Sequence, residues 1–298
     1  MLVDNLIMHI KAFFKHRAGF PKFHKKHGRQ AYTSTQGSSI HIDNNKVKIP
    51  TIGWVKTKGL RDLPPDAKIC YITVSRDPDG KYYGSITYKY EKDIPTHTIS
   101  TVIGLDYKSN GLYMDSDGLT ADMPHWFRES QAKLAHEQRK LSRRQGSRKG
   151  ERKSSGWKKQ HKKVTRLQKK TANQRADYLH KLSKELADTY DAVAIEDLDI
   201  RALSNKGFGN GKATMDNGYG MFTAMLSYKL RNQGKQLIKV GRMYPSSQIC
   251  SSCGNRQKIP LSTRKYRCPC CGTLIDRDYN AALNIKHEAE RLIGIKAA

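Results

Sequence analysis

Three acidic residues far apart in the chain, Asp106, Glu196 and Asp278, each stand at the end of an apolar run or beside a tight turn. Thr101-Val-Ile-Gly-Leu-Asp106 and Asp191-Ala-Val-Ala-Ile-Glu196 are short, β-branched and bounded by polar residues, the pattern of buried strands. Asp276-Arg-Asp278-Tyr-Asn280-Ala-Ala-Leu-Asn-Ile285 reads as a helix start, with Asp278 near the N-cap. A carboxylate at the mouth of a buried strand is costly unless it is paired or binds a metal. Three of them together would form a hard-oxygen site suited to Mg²⁺, held as a pair of ions, for phosphodiester hydrolysis. Taken singly, each is as readily a turn acid or a helix cap. Asp197 and Asp199 rival Glu196, and Asp276 rivals Asp278.

A second set is sulfur. Cys250-x₂-Cys253 and Cys268-x₂-Cys271 form two knuckles separated by 14 residues, the spacing of a closed, structural Zn²⁺ site. Cys270 offers a competing register. Gly254 follows Cys253 and Gly272 follows Cys271, so symmetric knuckles favour Cys271 and leave Cys270 a spare thiol. The module directly precedes Asp278, so metal binding there would fix the third carboxylate.

The elements that must position these groups are legible in outline. Leu2 to Phe14 is a short amphipathic helix, with Leu2, Leu6, Ile7, Ile10 and Phe14 on one side. A basic loop with aromatics, Lys15 to Tyr32, follows; Phe20 and Phe23 beside Lys and His suit stacking and phosphate contact. Residues 33 to 100 read as all-β and suggest a small barrel. Asn44-Asn45 and Asp77-Pro-Asp-Gly80 mark hairpins, and Ile52 to Val55 adds a strand. Cys70 reads as buried filler in a strand. Beyond Asp106, Gly111–Asp115 and Gly118–Asp122 pair through Ser116-Asp117.

Residues 127 to 190 read as helical, broken by Gln145 to Gly156. The 38 residues from Lys133 to Lys170 hold 16 Lys/Arg and two acids, Glu137 and Glu151. The second helix carries Val164, Leu167, Ala172, Leu179, Leu182 and Leu186 as an apolar stripe. Lys158, Lys159, Lys162, Lys163, Arg166, Lys169 and Arg175 on its other faces are the candidates for phosphate contact; a solvated helix or a coiled coil is the alternative. Ser204 to Gly220, with five glycines, lacks a phosphate-loop frame and reads as a flap. A helix over Tyr219 to Asn232, closed by Gly234, and a strand over Gln236 to Arg242 follow.

Composition agrees with a polyanionic partner. Lys+Arg is 55 against Asp+Glu 27, a formal net charge of +28, and a hydrophobic content of 37% still permits packed cores. No run of 18 apolar residues exists, so no membrane is expected, and no signal-peptide pattern opens the chain. Clustered cysteines favour a reducing, cytoplasmic setting over a disulfide framework.

Gly104-Leu-Asp106, Ala194-Ile-Glu196-Asp-Leu198, Tyr244-Pro-Ser-Ser-Gln-Ile-Cys250-Ser-Ser-Cys253-Gly254, Cys271-Gly272 and Asp276-Arg-Asp278-Tyr-Asn280-Ala-Ala resemble the TnpB family, transposon-encoded relatives of type V CRISPR effectors. Asn173-Gln-Arg175-Ala-Asp177, Leu179-His180-Lys-Leu-Ser183 and Asp216…Gly220-Met-Phe222 match it too, over roughly residues 18 to 292. The resemblance implies an RNA-guided DNA endonuclease. Its fold is an RNase H-like RuvC nuclease domain with an inserted zinc ribbon, an N-terminal β-barrel wedge domain and a basic helical segment. The expected division is 1-30 recognition remnant, 31-100 wedge, 101-247 nuclease with basic helices, 248-274 zinc ribbon and 275-298 nuclease C-terminal part. It implies Asp106, Glu196 and Asp278 as catalytic acids on two Mg²⁺ ions, and Cys250, Cys253, Cys268 and Cys271 on one Zn²⁺. A guide RNA from the transposon end would pair with target double-stranded DNA, the protein reading shape and backbone. The family's N-terminal helical segment is matched only by about Leu2 to Phe20, which reads as a natural mini-version, a truncation, or half of a homodimer that compensates. Tyr107-Lys108 stands where many relatives have a glycine nearby. A non-cleaving RNA-guided repressor, a transposon regulator that only binds RNA, and a strand-joining transposase are the competing readings.

Overall fold

The computed structural model divides into two units, Met1–Glu91 and Lys92–Ala298. It describes residues 2–21, 30–109, 111–124, 126–146, 148, 150–203, 217–260 and 262–294.

In the first unit, helix α1 (Leu2–Phe14) forms where the apolar spacing predicts, but Ile7, Ile10 and Phe14 of its stripe are exposed. Phe20 packs edge-on against Phe13, with centroids 5.3 Å apart; Phe23 lies outside the described residues. Strand β1 (Gln30–Ser34) takes in the end of the expected basic loop. Its propensity is modest, and it becomes a strand by pairing with β5 (Tyr32 opposite Val74, Ser34 opposite Ile72). Strands β2 (His41–Asp43), β3 (Lys46–Ile49) and β4 (Gly53–Lys56) form an antiparallel meander, with Asn44 in the left-handed region at the first turn. β5 (Lys68–Arg76) and β6 (Tyr82–Lys89) form the second predicted hairpin, turning at Gly80. The ladders make two three-stranded sheets, β2-β3-β4 and β1-β5-β6, over one core of Ile40, Val47, Ile49 and Ile72. Cys70, expected buried, is only partly so; it lies at a ladder irregularity between Ile69 and Tyr71 that breaks the inward alternation.

The second unit is built on a five-stranded sheet ordered β11-β10-β7-β8-β9. β7 (Val102–Tyr107), β8 (Tyr113–Asp115) and β9 (Thr120–Ala121) run antiparallel; β10 (Ala192–Glu196) and β11 (Gln236–Val240) continue parallel to β7. The antiparallel meander β7-β8-β9 is the one expected directly after the strand that carries Asp106. Between β9 and β10 lie α2 (Trp126–Ser142) and the 35-residue α3 (Ser155–Thr189), whose N-cap Ser154 accepts a bond from the Trp157 amide. The two helices are pinned at Glu137, which accepts from Gln160 Nε2 (2.6 Å) and Lys163 Nζ (2.9 Å), and at Ser130–Thr171 (3.1 Å). Buried positions on α3 include Gln160, Val164, Thr171, Leu179, Ser183 and Leu186. Ala172, placed on the stripe by sequence, is exposed: the seam follows polar Gln160 and Thr171, whose side chains are satisfied across it.

α4 (Ile200–Leu203) follows β10; of the expected flap, Ser204 to Asp216 lies outside the described residues. α5 (Tyr219–Asn232) ends at Gln233, and Gly234 takes a positive φ where a Cβ would sit 1.9 Å from the Pro95 carbonyl oxygen. β12 (Lys265–Arg267) and β13 (Leu274–Asp276) form the small hairpin before α6 (Arg277–Leu292). Alternation in the sheet splits the core. Ile103, Leu105, Val193 and Ile195 meet Leu179 and Leu186 of α3 and Phe222 and Leu226 of α5; Val102, Ala192, Ala194 and Val240 meet Ile285 and Ala289 of α6. No helix among the described residues is long and apolar enough to cross a membrane.

Candidate active site and cysteine centre

Asp106 and Glu196 end neighbouring parallel strands. Ile195 lies opposite Leu105, so one residue further Glu196 stands beside Asp106, with strand axes about 5 Å apart. Both follow the residues of the α6 face, Val102 and Gly104 on one strand, Ala192 and Ala194 on the other. Gly104 lets the helix close on β7: a Cβ there would sit 2.2 Å from the Ala282 carbonyl oxygen and 2.6 Å from the Lys286 amide nitrogen. Two residues up the strand is about 6.6 Å, and one turn back along α6 from Ala282 is about 6 Å, so Asp278 arrives level with Asp106. Asp276 is the true N-cap, accepting from the Asp278 and Tyr279 amides at 2.9 and 3.1 Å, which leaves the Asp278 side chain for the site.

Electrostatics records the meeting. The Asp106 carboxyl is pushed well above the usual carboxylate range, first by burial, then by the charges of Glu196 and Asp278, with Arg277 and Lys108 opposing. Burial also raises Glu196, against a 2.5 Å hydrogen bond donated by Ser246 Oγ to its Oε1. Asp278 is approached by Arg277 at 3.3 Å and Arg264 at 3.9 Å. The three acids do not form a closed cage: among the described residues, the group of acid, His or Cys donors converging within 4.8 Å is the cysteines. An anionic cluster with oxygen donors and burial against its own ionisation fits hard divalent cations. The rival acids part company with it: Asp197 pairs with Lys239 at 3.2 Å, and Asp199 accepts from the Ala202 amide at 3.1 Å in the α4 turn.

Cys250, Cys253, Cys268 and Cys271 converge, and Cys270 stands outside the group. The Cys250–Cys271 and Cys253–Cys268 sulfurs are 3.7 and 3.5 Å apart. A tetrahedron with Zn–S bonds of about 2.3 Å would place sulfurs about 3.8 Å apart, so the donor set fits Zn²⁺. The knuckles are alike: the Gly254 amide donates to Cys250 O and the Gly272 amide to Cys268 O, both glycines at φ +74°. Thr273, through its hydroxyl and backbone, lowers the Cys271 thiol to about 6, favouring the thiolate a metal needs.

Three positioning residues escaped the sequence reading. Asn280 and Asn284, one turn apart and buried on α6, donate to Ile249 O (2.7 and 2.6 Å); Asn284 also donates to Ser246 O (2.7 Å), and Asn280 accepts from the Ser251 amide. They clasp the segment carrying Ser246 and the first knuckle. Two amides at i and i+4 on an otherwise apolar face were the available signal; Ser246 gave none.

Of the candidate phosphate contacts, Lys158, Lys159, Lys162 and Arg166 are exposed on α3. Lys163 is exposed but paired with Glu137. Lys169 and Arg175 are half-buried, and the Arg175 stem lies against Gly218 at the α5 N-cap.

Known proteins match the chain along these same segments. The family described as "Probable transposase" matches residues 85–206, and "Cas12f1-like, TNB domain" matches residues 219–285. Two curated relatives carry the name "Putative RNA-guided DNA endonuclease". InsQ of Escherichia coli (strain K12) is 32% identical over 92% of this chain and 70% of its own length; one from Streptomyces pristinaespiralis is 32% identical over 92% and 66%. The solved Cas12f1–sgRNA–target DNA complex contains a chain of the same fold, with TM-score 0.61 at 15% identity over 95% of this chain and 69% of that one. One family model spans the strands that end in Asp106 and Glu196, the other spans the cysteines and Asp278, and the InsQ alignment runs through both: the chain belongs to the TnpB family.

Proposed function

We propose that the chain is an RNA-guided DNA endonuclease of a transposon, which hydrolyses phosphodiesters of target DNA at a single centre of Asp106, Glu196 and Asp278. The observation that carries this reading is geometric: the β7–β10 register and the close packing of α6 on Gly104 bring Asp106 to two acids 90 and 172 residues away in sequence. Asp106, Glu196 and Asp278 would hold two Mg²⁺ ions, which when bound supply an activated water and stabilise the leaving 3′ oxygen. The chain's own part is to hold the acids apart from solvent, with Ser246 orienting Glu196 and the Asp276 cap orienting α6. Cys250, Cys253, Cys268 and Cys271 would hold one structural Zn²⁺. The relatives' names and the guide and target in the Cas12f1 complex support guide RNA and double-stranded DNA as partners. Lys158, Lys159, Lys162 and Arg166 are phosphate contacts in this reading, and the two sheets of the first unit are its wedge-type barrel.

The test is purification with sequencing of bound RNA, then cleavage of plasmid matched to that RNA in Mg²⁺ or EDTA. Asp106→Ala, Glu196→Ala and Asp278→Ala should each abolish cutting and leave RNA binding intact. Normal cutting by Asp278→Ala with loss in Asp276→Ala would move the third acid; retained binding with no cutting by the wild type would favour a repressor.

A further inference from the structure

Past Asp106, β7 carries one more side chain to the same side of the sheet. Alternation along the strand is recorded by what each residue meets. Ile103, Leu105 and Tyr107 belong to the core under α3 and α5, whereas Val102 and Gly104 face α6. The Tyr107 ring lies on Tyr219 of α5, centroids 4.6 Å apart, which fixes it on the α5 side. Asp106 and Lys108 therefore share the opposite face, about 6.6 Å apart along the chain. The backbone holds Lys108 there. Its amide donates to Leu112 O at 3.2 Å, one step past the Tyr107–Tyr113 pair of the β7–β8 ladder, and its carbonyl accepts from the Gly111 amide at 3.3 Å. Lys108 is half-buried and makes no ion pair with a described residue. The other two cations of the site, Arg277 and Arg264, are turned to Asp278 at 3.3 and 3.9 Å. The Lys108 charge acts on the Asp106 carboxyl, against burial and against the other two acids.

Resting on the nuclease reading, we propose that Lys108 is a phosphate-binding residue of the carboxylate centre, its ammonium donating to a non-bridging oxygen of the DNA strand drawn to the three acids. A cluster of carboxylates repels a polyanion, so a strand lying over it needs a cation on the same face. Lys108 supplies a point charge with three donors on a flexible stem. Its root is fixed by the hairpin, two residues from Asp106, so the reach of the stem is centred on the acids rather than on open solvent. A lysine that only solvates the hairpin, or only offsets the charge of Asp106, would leave strand binding unchanged.

Lys108→Gln removes the charge and keeps most of the stem; Lys108→Arg keeps the charge. Each is compared with the wild type, as the purified full chain, in binding a short single-stranded DNA with Ca²⁺ and with EDTA at matched ionic strength. The part of the affinity that Ca²⁺ adds is the readout, because a strand held elsewhere on so cationic a surface does not need the ion. Lys108→Gln should lower that part threefold or more. It should also make the fall of log affinity with log salt shallower by about 0.7, the share of one contact to a single strand. Lys108→Arg should stay within twofold of the wild type. In guided cleavage Lys108→Gln should lose tenfold or more, with Lys108→Arg close to the wild type. Equal Ca²⁺-dependent binding by all three proteins overturns the proposal, even if Lys108→Gln melts lower. So does a Lys108→Arg that binds no better than Lys108→Gln, or Ca²⁺ that adds nothing to binding by the wild type. A wild type that does not cleave sinks the nuclease reading, and the Ca²⁺-dependent binding still decides Lys108.

Discussion

Asp106 is a strained group in the empty protein, since burial and then the charges of Glu196 and Asp278 all oppose its ionisation. Its folded pKa is raised, so the native state binds its proton more tightly than the unfolded chain does. The sign follows: this group costs nothing below its unfolded pKa, and stability is lost as pH rises through the raised folded value. In EDTA the unit should therefore melt lower at pH 8 than near the ordinary carboxylate value of 3.8 from this source. Asp106→Asn should remove most of that slope and raise the melting temperature at pH 8, while ending cleavage. Calorimetry across pH on the two proteins checks it; an unchanged slope would mean that Asp106 is not the strained group. Glu137 works in the opposite sense. Lys163 and Gln160 hold its carboxyl down to about 2, so its contribution is present above the ordinary value of 4.5 and fades as pH falls toward 2. Glu137→Gln should make the α2–α3 hairpin less protected from amide exchange at neutral pH and flatten its loss of protection in acid.

At the scale of elements, the contact that matters is α6 on β7. It brings Asp278 to Asp106, and it is possible because residue 104 has no side chain. Gly104→Ala would force backbone apart rather than move a flexible tip, costing about 1–3 kcal/mol as overpacking does. It should also cut cleavage by at least tenfold, since a shift of about 1 Å at the N-terminus of α6 misplaces the third acid. A variant as stable and as active as wild type would show that α6 is free to slide. Register explains why position on the strand favours Glu196 over Asp197 and Asp199 without settling the choice, just as the helix start leaves Asp276 and Asp278 in competition. Glu196 falls one step beyond Ile195 on a strand whose alternation is visible, whereas Asp276 and Asp278 compete at a helix start. The backbone amides resolve that competition by hydrogen-bonding Asp276.

For the molecule as a whole, the cysteine centre lies in sequence between β11 and α6, and Asn280 and Asn284 tie the segment carrying its first knuckle to α6. In the proposed reading, loss of the zinc these cysteines would hold should therefore reach the carboxylates. Cys271→Ser should release zinc, lower the melting temperature and impair cleavage, whereas Cys270→Ser should do none of these; metal analysis of both variants decides it. The chain also carries a net +28 that no internal pairing balances. Its exposed share includes the outer faces of α3, where Lys158, Lys159, Lys162 and Arg166 stand clear of the seam with α2.

The amino-acid order alone determined the two carboxylate strands, the split basic helices, the α5 boundaries and the knuckle pairs. These depend on local signals: alternation, caps, turn glycines and fixed ligand spacing. Tertiary structure decided the rest. β1 is a strand because β5 offers it an edge, and the α3 seam runs through Gln160 and Thr171 because Glu137 and Ser130 face them. Ser246 meets Glu196 because two asparagines on α6 bend that segment inward. Each of these is a pairing between groups tens of residues apart, and no periodicity along one stretch of chain encodes what another stretch will present to it.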